Sequence, residues 1–483
     1  MFASIPALLL DLLLLSLMGL LGARALHSVA PRAGRVEKLA AAFPLGAGLF
    51  TFSVFLASWA GLEIRLTTLA VVFAILLFVF LAAGRWRAGD RRDEPLAAGS
   101  PELGRLAFLR WVPWAVIATL TLTSAVISLG RSYTPFDASA IWAAKGYGMA
   151  LEGTIFAARS WGAHSLSYPL NVPLLISSFQ LVDGDILPGS KLLFPLFYAS
   201  TLLGALGFWR RLRLSNGWLC AGVLLLGTIP EVFRHSTYGY VNIPASAYLV
   251  LGTLWGVSGL IEGSRERMTV AGLLLGLGCW TRVEGILYAL VISGALAVAW
   301  LRLRTAAFPF AWLMAPLVIV GGTWLFFYRS YGVAGTQAGE AMAAAIAGWK
   351  AGDLHLHSLR LILGYFRRVL FDTETWGLLF PLSAALLLLH LRRLYDRAFP
   401  ILMPLGLATL VTGVGTAGLF YVGSYARGDL VGWMTRGFPR AFFPAAILLV
   451  ILSLATAAIE SRPRNHEVVA FEAGPTTNPI EGQ

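Results

Sequence analysis

Charge is scarce in this sequence. Asp, Glu, Lys and Arg make up 13% of its 483 residues, against about 25% in a typical soluble domain. Hydrophobic types reach 57%, with 16 Trp and 29 Phe. Too little polar surface remains to coat a water-soluble globule. A disordered chain and a soluble multidomain enzyme are excluded by the same figures. Cysteine is nearly missing. Cys220 and Cys279 are the two present, both in apolar runs, which argues against a disulfide framework and a Cys-based metal site. Acidic residues are outnumbered, 25 against 37 Lys and Arg, for a net charge of +12. In a soluble chain that excess would raise nucleic acid as a partner. Here it belongs in short cytoplasmic loops, and no nucleic-acid partner is expected.

Long apolar runs are what the chain has in abundance. They fall at about 5–22, 39–60, 66–83, 111–130, 187–209, 216–233, 241–261, 268–281, 286–301, 308–328, 373–391, 400–422 and 439–459. A membrane span needs about 20 residues. The expectation is an all-α, polytopic integral membrane protein with about 13 transmembrane helices. The number falls to 11 if 268–301 is a re-entrant hairpin. The runs are continuous rather than alternating, which excludes an outer-membrane barrel. One set of alternate loops carries 22 of the 37 Lys and Arg, and that side is cytoplasmic by the positive-inside rule. The N-terminus then faces out and the C-terminus in. No basic region precedes the first run and Arg24 follows it directly, so residues 1–22 read as a span rather than a cleaved signal. Four sections follow: three helices in 1–83, a basic cytoplasmic linker 84–110, a main module 111–460, and a polar cytoplasmic tail 461–483 expected to be disordered.

The outer connections 131–186, 329–372 and 423–438 are long, which is unusual unless they are functional. They are also apolar in part. Residues 138–151 and 354–371 carry helical stripes suited to amphipathic helices at the membrane surface. A site beneath that roof is expected.

The most informative stretch runs from Tyr133 through Asp137 and Trp142 to Lys145. Asp137 directly precedes a helical pattern, so it suits a helix N-cap. The spacing favours the cap, and a general base is compatible with it, because a carboxylate beside an apolar roof is partly desolvated. Three further stretches follow on the same face: His164 to Tyr168-Pro169 and Pro173; Tyr240-Val241-Asn242-Ile243-Pro244; and Thr281-Arg282-Val283-Glu284-Gly285. Arg282 and Glu284 sit at the junction of two apolar runs. They read either as a satisfied turn pair or as a functional site, since ionisable groups beside a span are costly. His355 and His357 share a face only in a strand, so a metal there is not expected.

Taken in order, these four stretches resemble the GT-C superfamily of membrane glycosyltransferases, in particular the bacterial polyprenyl-phosphate-sugar-dependent members similar to dolichyl-phosphate-mannose mannosyltransferases. The likeness covers about residues 111–460 as architecture. It implies that Asp137, in the first large outer loop, is the catalytic base. It implies substrate contacts from Trp142, Lys145, His164, Tyr168, Tyr240, Asn242 and Glu284. It also implies a bacterial inner membrane with the site facing the periplasm. The sequence departs from the pattern at Asn242, where an acid is common. Asp137 has no acidic neighbour, so the paired acids that hold a divalent metal in some members are missing at that spot; a divalent metal stays open but is not indicated.

An anionic lipid donor needs cations near its phosphate. The candidates are Arg282, Lys191, Arg367, Arg368, Arg436 and Arg440, each of which also suits anchoring to anionic headgroups. The expected reaction is inverting transfer of a sugar from a polyprenyl phosphate or diphosphate to a hydroxyl of a cell-envelope glycan, lipid or protein. The rivals are a secondary transporter or lipid-linked-sugar flippase, and a polysaccharide polymerase or ligase. A transporter would show repeat symmetry and spans broken near the membrane centre, and the sequence has no internal repeat.

Overall fold

A computed structural model describes residues 5–87, 110–133, 135–161, 165–184, 189–303, 309–331, 337–390, 399–426 and 428–460. His164, most of the 84–110 linker and the 461–483 tail lie outside the described residues. No strand occurs among the described residues.

The first three helices are α1 (Ile5–Val29), α2 (Arg35–Trp59) and α3 (Leu66–Arg87), followed by α4 (Val112–Leu129). Two short helices come next, α5 (Ala144–Glu152) and α6 (Asn171–Asp183), then the long α7 (Leu193–Arg211). Helices α8 (Asn216–Gly227) and α9 (Pro230–Tyr238) precede α10 (Asn242–Glu262), α11 (Arg265–Cys279) and α12 (Glu284–Leu303). The segment α13 (Phe310–Leu317) joins α14 (Thr323–Tyr331) through a π-helical turn. Helices α15 (Gln337–Lys350), α16 (Leu356–Leu370) and α17 (Thr373–Trp376) connect to α18 (Leu379–His390). The chain closes with α19 (Phe399–Gly423), α20 (Leu430–Ala441) and α21 (Phe443–Glu460).

All thirteen apolar runs are helical, but not all are simple spans. Nine helices among the described residues are long and apolar enough to cross a membrane. The run 216–233 is a helix pair, α8–α9, bent by 60° at a break, and the run 439–459 is α21, which meets α20 of the preceding outer connection at 43°. Each break has a local cause. Pro230 opens α9 after an extended Ile229, and proline cannot supply the amide an unbroken helix would need. Pro439 and Pro444 flank the α20–α21 bend. The remaining runs give α11, with 15 residues, and α18, with 12. Both are shorter than 18 residues as described, so the described residues hold nine helices of span length, or eleven with the bent pairs, in place of the 13 expected; α11 still runs from the Arg267 cluster at one end of α10 towards Arg282 at the other. Each bent pair is a broken span or a re-entrant loop by its geometry, and a broken span is the feature expected above for a transporter.

The centre of the bundle is α10, buried along its whole apolar window. Helices α7, α11, α12, α19 and α21 pack around it. The N-terminal helices are not peripheral to this body. Helix α2 is largely buried and packs on α7, α6 and α10. Its Pro44 carbonyl accepts a hydrogen bond from the Tyr248 hydroxyl of α10 at 2.9 Å. Helix α1 lies so close that a Cβ on Gly22 or Gly46 would overlap the facing backbone, and small residues permit such approach without a hydrophobic driving force.

The two ends of α10 are separated by about 30 Å at the helical rise, and each carries an ionic cluster. At the Glu262 end, Arg267 donates to Glu262 at 2.8 Å and to Glu37 at 3.0 Å. Arg211 pairs with the same two glutamates. This cluster ties α2, α7, α10 and α11 together with balanced charge. The Asn242 end holds the residues singled out from sequence.

Candidate functional site

Asp137 opens a π-helical segment, Asp137–Ala143, that runs on into α5. The segment's N-cap is Phe136 and no side chain caps it. The N-cap role expected for Asp137 is therefore not the one it takes. Its carboxylate instead forms an ion pair with the guanidinium of Arg440, 303 positions later in the chain. Side-chain exposures of 28% and 20% place the pair at a boundary, neither sealed from water nor freely solvated. Single-turn π segments occur often at functional sites.

The α20–α21 bend places Arg440. A helix end leaves backbone carbonyls without intrahelical donors, and two side chains take them up. Asn242 Nδ2 donates to the Arg440 carbonyl at 3.2 Å, and the Tyr288 hydroxyl donates to the Ala441 carbonyl at 2.9 Å. Asn242, where an acid was the common residue in the resemblance, thus acts as a donor that a carboxylate could not replace. The Arg440 guanidinium lies 5.3 Å over the Tyr240 ring.

Facing this pair is a second one. Arg282 donates to Glu284 through Nε at 2.9 Å and Nη2 at 2.8 Å, the bidentate arrangement that favours Arg. The tight turn between α11 and α12 sets it. Gly285 N donates to the Arg282 carbonyl at 3.0 Å, and a Cβ on Gly285 would come within 2.2 Å of the Gly278 carbonyl. Only glycine fits there. A buried bridge braces the turn from behind. Thr51 Oγ1 of α2 donates to Asn171 Oδ1 at 2.7 Å, and Asn171 Nδ2 donates to Thr281 Oγ1 at 2.8 Å.

Both arginines and Glu284 line one pocket, together with Asn242, Ala245, Leu249, Tyr288 and Pro444. It holds about 290 Å³ of empty space, part of it open to solvent. Ala245, Ser246 and Leu249 follow Asn242 along one face of α10, so the pocket combines the charges of Arg282, Glu284 and Arg440 with a largely apolar helix face. Tyr168 belongs to the same neighbourhood. Burial lifts its hydroxyl above the ordinary phenol range, and the charges of Glu284, Arg282, Asp137 and Arg440 all act on it. Its ring meets Trp142 edge-on at 5.3 Å, and Lys145 Nζ lies 5.6 Å over it. Lys145 has no exposed surface, and its ammonium has no hydrogen-bond acceptor among the described residues. Burial pushes this amine down to about 7.

The structure thus gathers Asp137, Trp142, Lys145, Tyr168, Tyr240, Asn242, Arg282, Glu284 and Arg440. It does not gather the other cations. Lys191 is buried elsewhere, donating to the Ser128 carbonyl at 3.2 Å beneath Tyr133. Arg367 and Arg368 are exposed on α16 and do not line the pocket. Arg436 is exposed on α20, donating to the Gly432 carbonyl at 3.0 Å. His164 lies outside the described residues. No group of three or more metal-ligating side chains occurs among the described residues. Tyr288, Asn171 and Thr51 were missed from sequence. Tyr288 carried a usable signal, since it follows Glu284 by one helical turn. Asn171 and Thr51 carried none beyond being polar in apolar surroundings.

No protein-family model, curated protein or solved structure matches this chain.

Proposed function

We propose that this protein transfers a sugar from a polyprenyl-phosphate-linked donor to an acceptor hydroxyl. The reaction would take place at the outer face of a bacterial inner membrane. The observation that carries this reading is the pairing of Asp137 with Arg440, an arginine that lines one pocket together with Arg282, Glu284 and apolar side chains of α10. A lipid-linked sugar has matching parts: an apolar chain, an anionic phosphate and a polar sugar.

In this reading the acceptor hydroxyl gives its proton to the Asp137 carboxylate. The acceptor oxygen attacks the anomeric carbon, and the bond from that carbon to the phosphate oxygen breaks. The polyprenyl phosphate leaves with the bonding electrons on the opposite side, so the configuration inverts. Arg440 and Arg282 meet the charge that grows on the leaving phosphate. Each keeps donors beyond those used in its ion pair, because a guanidinium carries five. The four side chains sum to zero charge, so an arriving phosphate must compete for the arginines. That competition would free Asp137 from Arg440 when donor is bound.

The orientation belongs to the same proposal. The end of the bundle with Arg211, Glu262 and Arg267 would face the cytoplasm, the N-terminus the periplasm and the C-terminus the cytoplasm.

The test is transfer of labelled sugar from polyprenyl-phosphate donors by the purified protein, beside Asp137→Asn. Transfer by the wild type and its loss in the variant, with donor binding retained, is the expected result. Equal activity in both would remove Asp137 from the chemistry. Translocation of the donor across liposomes without transfer would replace this reading with that of a flippase.

A further inference from the structure

We infer that Tyr240 and His235 are positioning residues that hold the Arg440–Asp137 pair from behind as one stacked column. The Arg440 guanidinium lies over the Tyr240 ring at 5.3 Å. On Tyr240 stacks His235, with ring centroids 4.8 Å apart and planes 26° from parallel. Phe443, at the start of α21, packs edge-on against His235 at 4.9 Å. His235 is itself held within α9, its Nδ1 lying 3.0 Å from the Glu231 carbonyl. The column therefore runs from the bent α8–α9 pair, across the loop that opens α10, to the bend between α20 and α21.

Arg440 needs such support. Its backbone is fixed by Asn242, but its long side chain has several rotatable bonds. Its named anchors beyond the backbone are the Asp137 carboxylate and the Tyr240 face. A planar guanidinium stacks on an aromatic face with defined orientation. Tyr240, expected from the resemblance to contact substrate, lies beneath the arginine. His235 was assigned no role from sequence.

The kinetic part of the inference rests on reading Asp137 as the base; the positional part does not. The experiment separates them. Arg440 in the full-length purified protein is modified with phenylglyoxal, and adduct formation at that residue is followed by peptide mass spectrometry. Transfer kinetics are measured on the same samples. Tyr240→Leu, which removes the ring, should raise the Arg440 adduct rate by about fivefold or more. It should lower kcat/KM for the donor about tenfold, because Arg440 meets the donor phosphate as well as Asp137. Tyr240→Phe, which keeps the face, should retain the wild-type adduct rate. Equal adduct rates in wild type and Tyr240→Leu would overturn the inference, as would Tyr240→Phe behaving like Tyr240→Leu. If Tyr240→Leu does not fold, as judged by size-exclusion elution, the same comparison is made with His235→Leu against His235→Phe. If the wild type transfers no sugar, the glycosyltransferase reading fails and the adduct rates alone decide the column.

Discussion

Replacing Lys145 with Met should stabilise the protein at neutral pH and flatten its response to pH. The amine has no exposed surface and no hydrogen-bond acceptor among the described residues, and the Tyr168 face at 5.6 Å is its nearest named partner. Burial lowers its proton affinity from 10.5 to about 7. In an unfolded chain the amine is hydrated and stays protonated to about pH 10.4. Below about pH 7 both states carry the proton and the folded state bears the full cost. As pH rises from about 7 towards 10.4, the unfolded state holds a proton that the folded state has released. Stability then increases with pH, by up to about 1.4 kcal/mol per pH unit. The whole effect is bounded at about 5 kcal/mol. Methionine has similar length and needs no solvation of its tip, so it removes this cost while filling the same space. The assay is thermal unfolding of the detergent-purified wild type and Lys145→Met from pH 6 to 9. The variant should melt higher at pH 7, and the gap should narrow as pH rises. A variant that melts lower than wild type at pH 7, or a gap that does not change with pH, would refute the reasoning. Either result would mean that the ammonium has a stabilising partner.

Three further outcomes follow from the site. Glu284→Gln should destabilise the fold by about 3–5 kcal/mol by leaving Arg282 unpaired in a largely buried setting. The double variant Arg282→Leu/Glu284→Leu should recover part of that loss, as a double-mutant cycle in thermal unfolding would reveal. Gly285→Ala should lower the melting temperature and reduce expression, because its Cβ would meet the Gly278 carbonyl at 2.2 Å; a wild-type melting temperature would contradict the turn geometry. Asn242→Leu should cost about 1–3 kcal/mol by removing the donor to the Arg440 carbonyl. It should also raise phenylglyoxal modification of Arg440, and unchanged stability and reactivity would show that the bend does not depend on it.

Class and element positions were legible in the linear chain for a physical reason. Burying an apolar run in lipid is a local property, summed over about 20 neighbouring residues, so every expected run emerged as a helix. The short polar stretches around Asp137, Tyr240 and Arg282 could be marked for the same reason: an ionisable or polar residue beside an apolar run is costly wherever it sits. What could not be read was how those stretches meet. Asp137 suited an N-cap from its neighbours alone, yet its partner is Arg440, 303 positions away. Six cations stood as candidate phosphate ligands, with Arg282 singled out at the junction of two apolar runs and Arg367, Arg368, Arg436 and Arg440 favoured for clustering in long outer segments. Packing separated them, bringing Arg282 and Arg440 to one pocket, burying Lys191 under Tyr133 and leaving Arg367, Arg368 and Arg436 exposed.

The span count divides along the same line. Hydropathy marks a segment as apolar but does not register a bend, so α8–α9 read as one straight run although it turns by 60°, and α20 read as part of an outer connection although it meets α21 at 43°. The bend at α20–α21 decides the site, since it frees the carbonyls that Asn242 and Tyr288 hold and aims Arg440 at Asp137. The sequence alone determined that this chain is a helical membrane protein and which short stretches carry its unusual charges. The tertiary structure alone decided which of those charges are partners, because pairing depends on distances through space that no local pattern encodes.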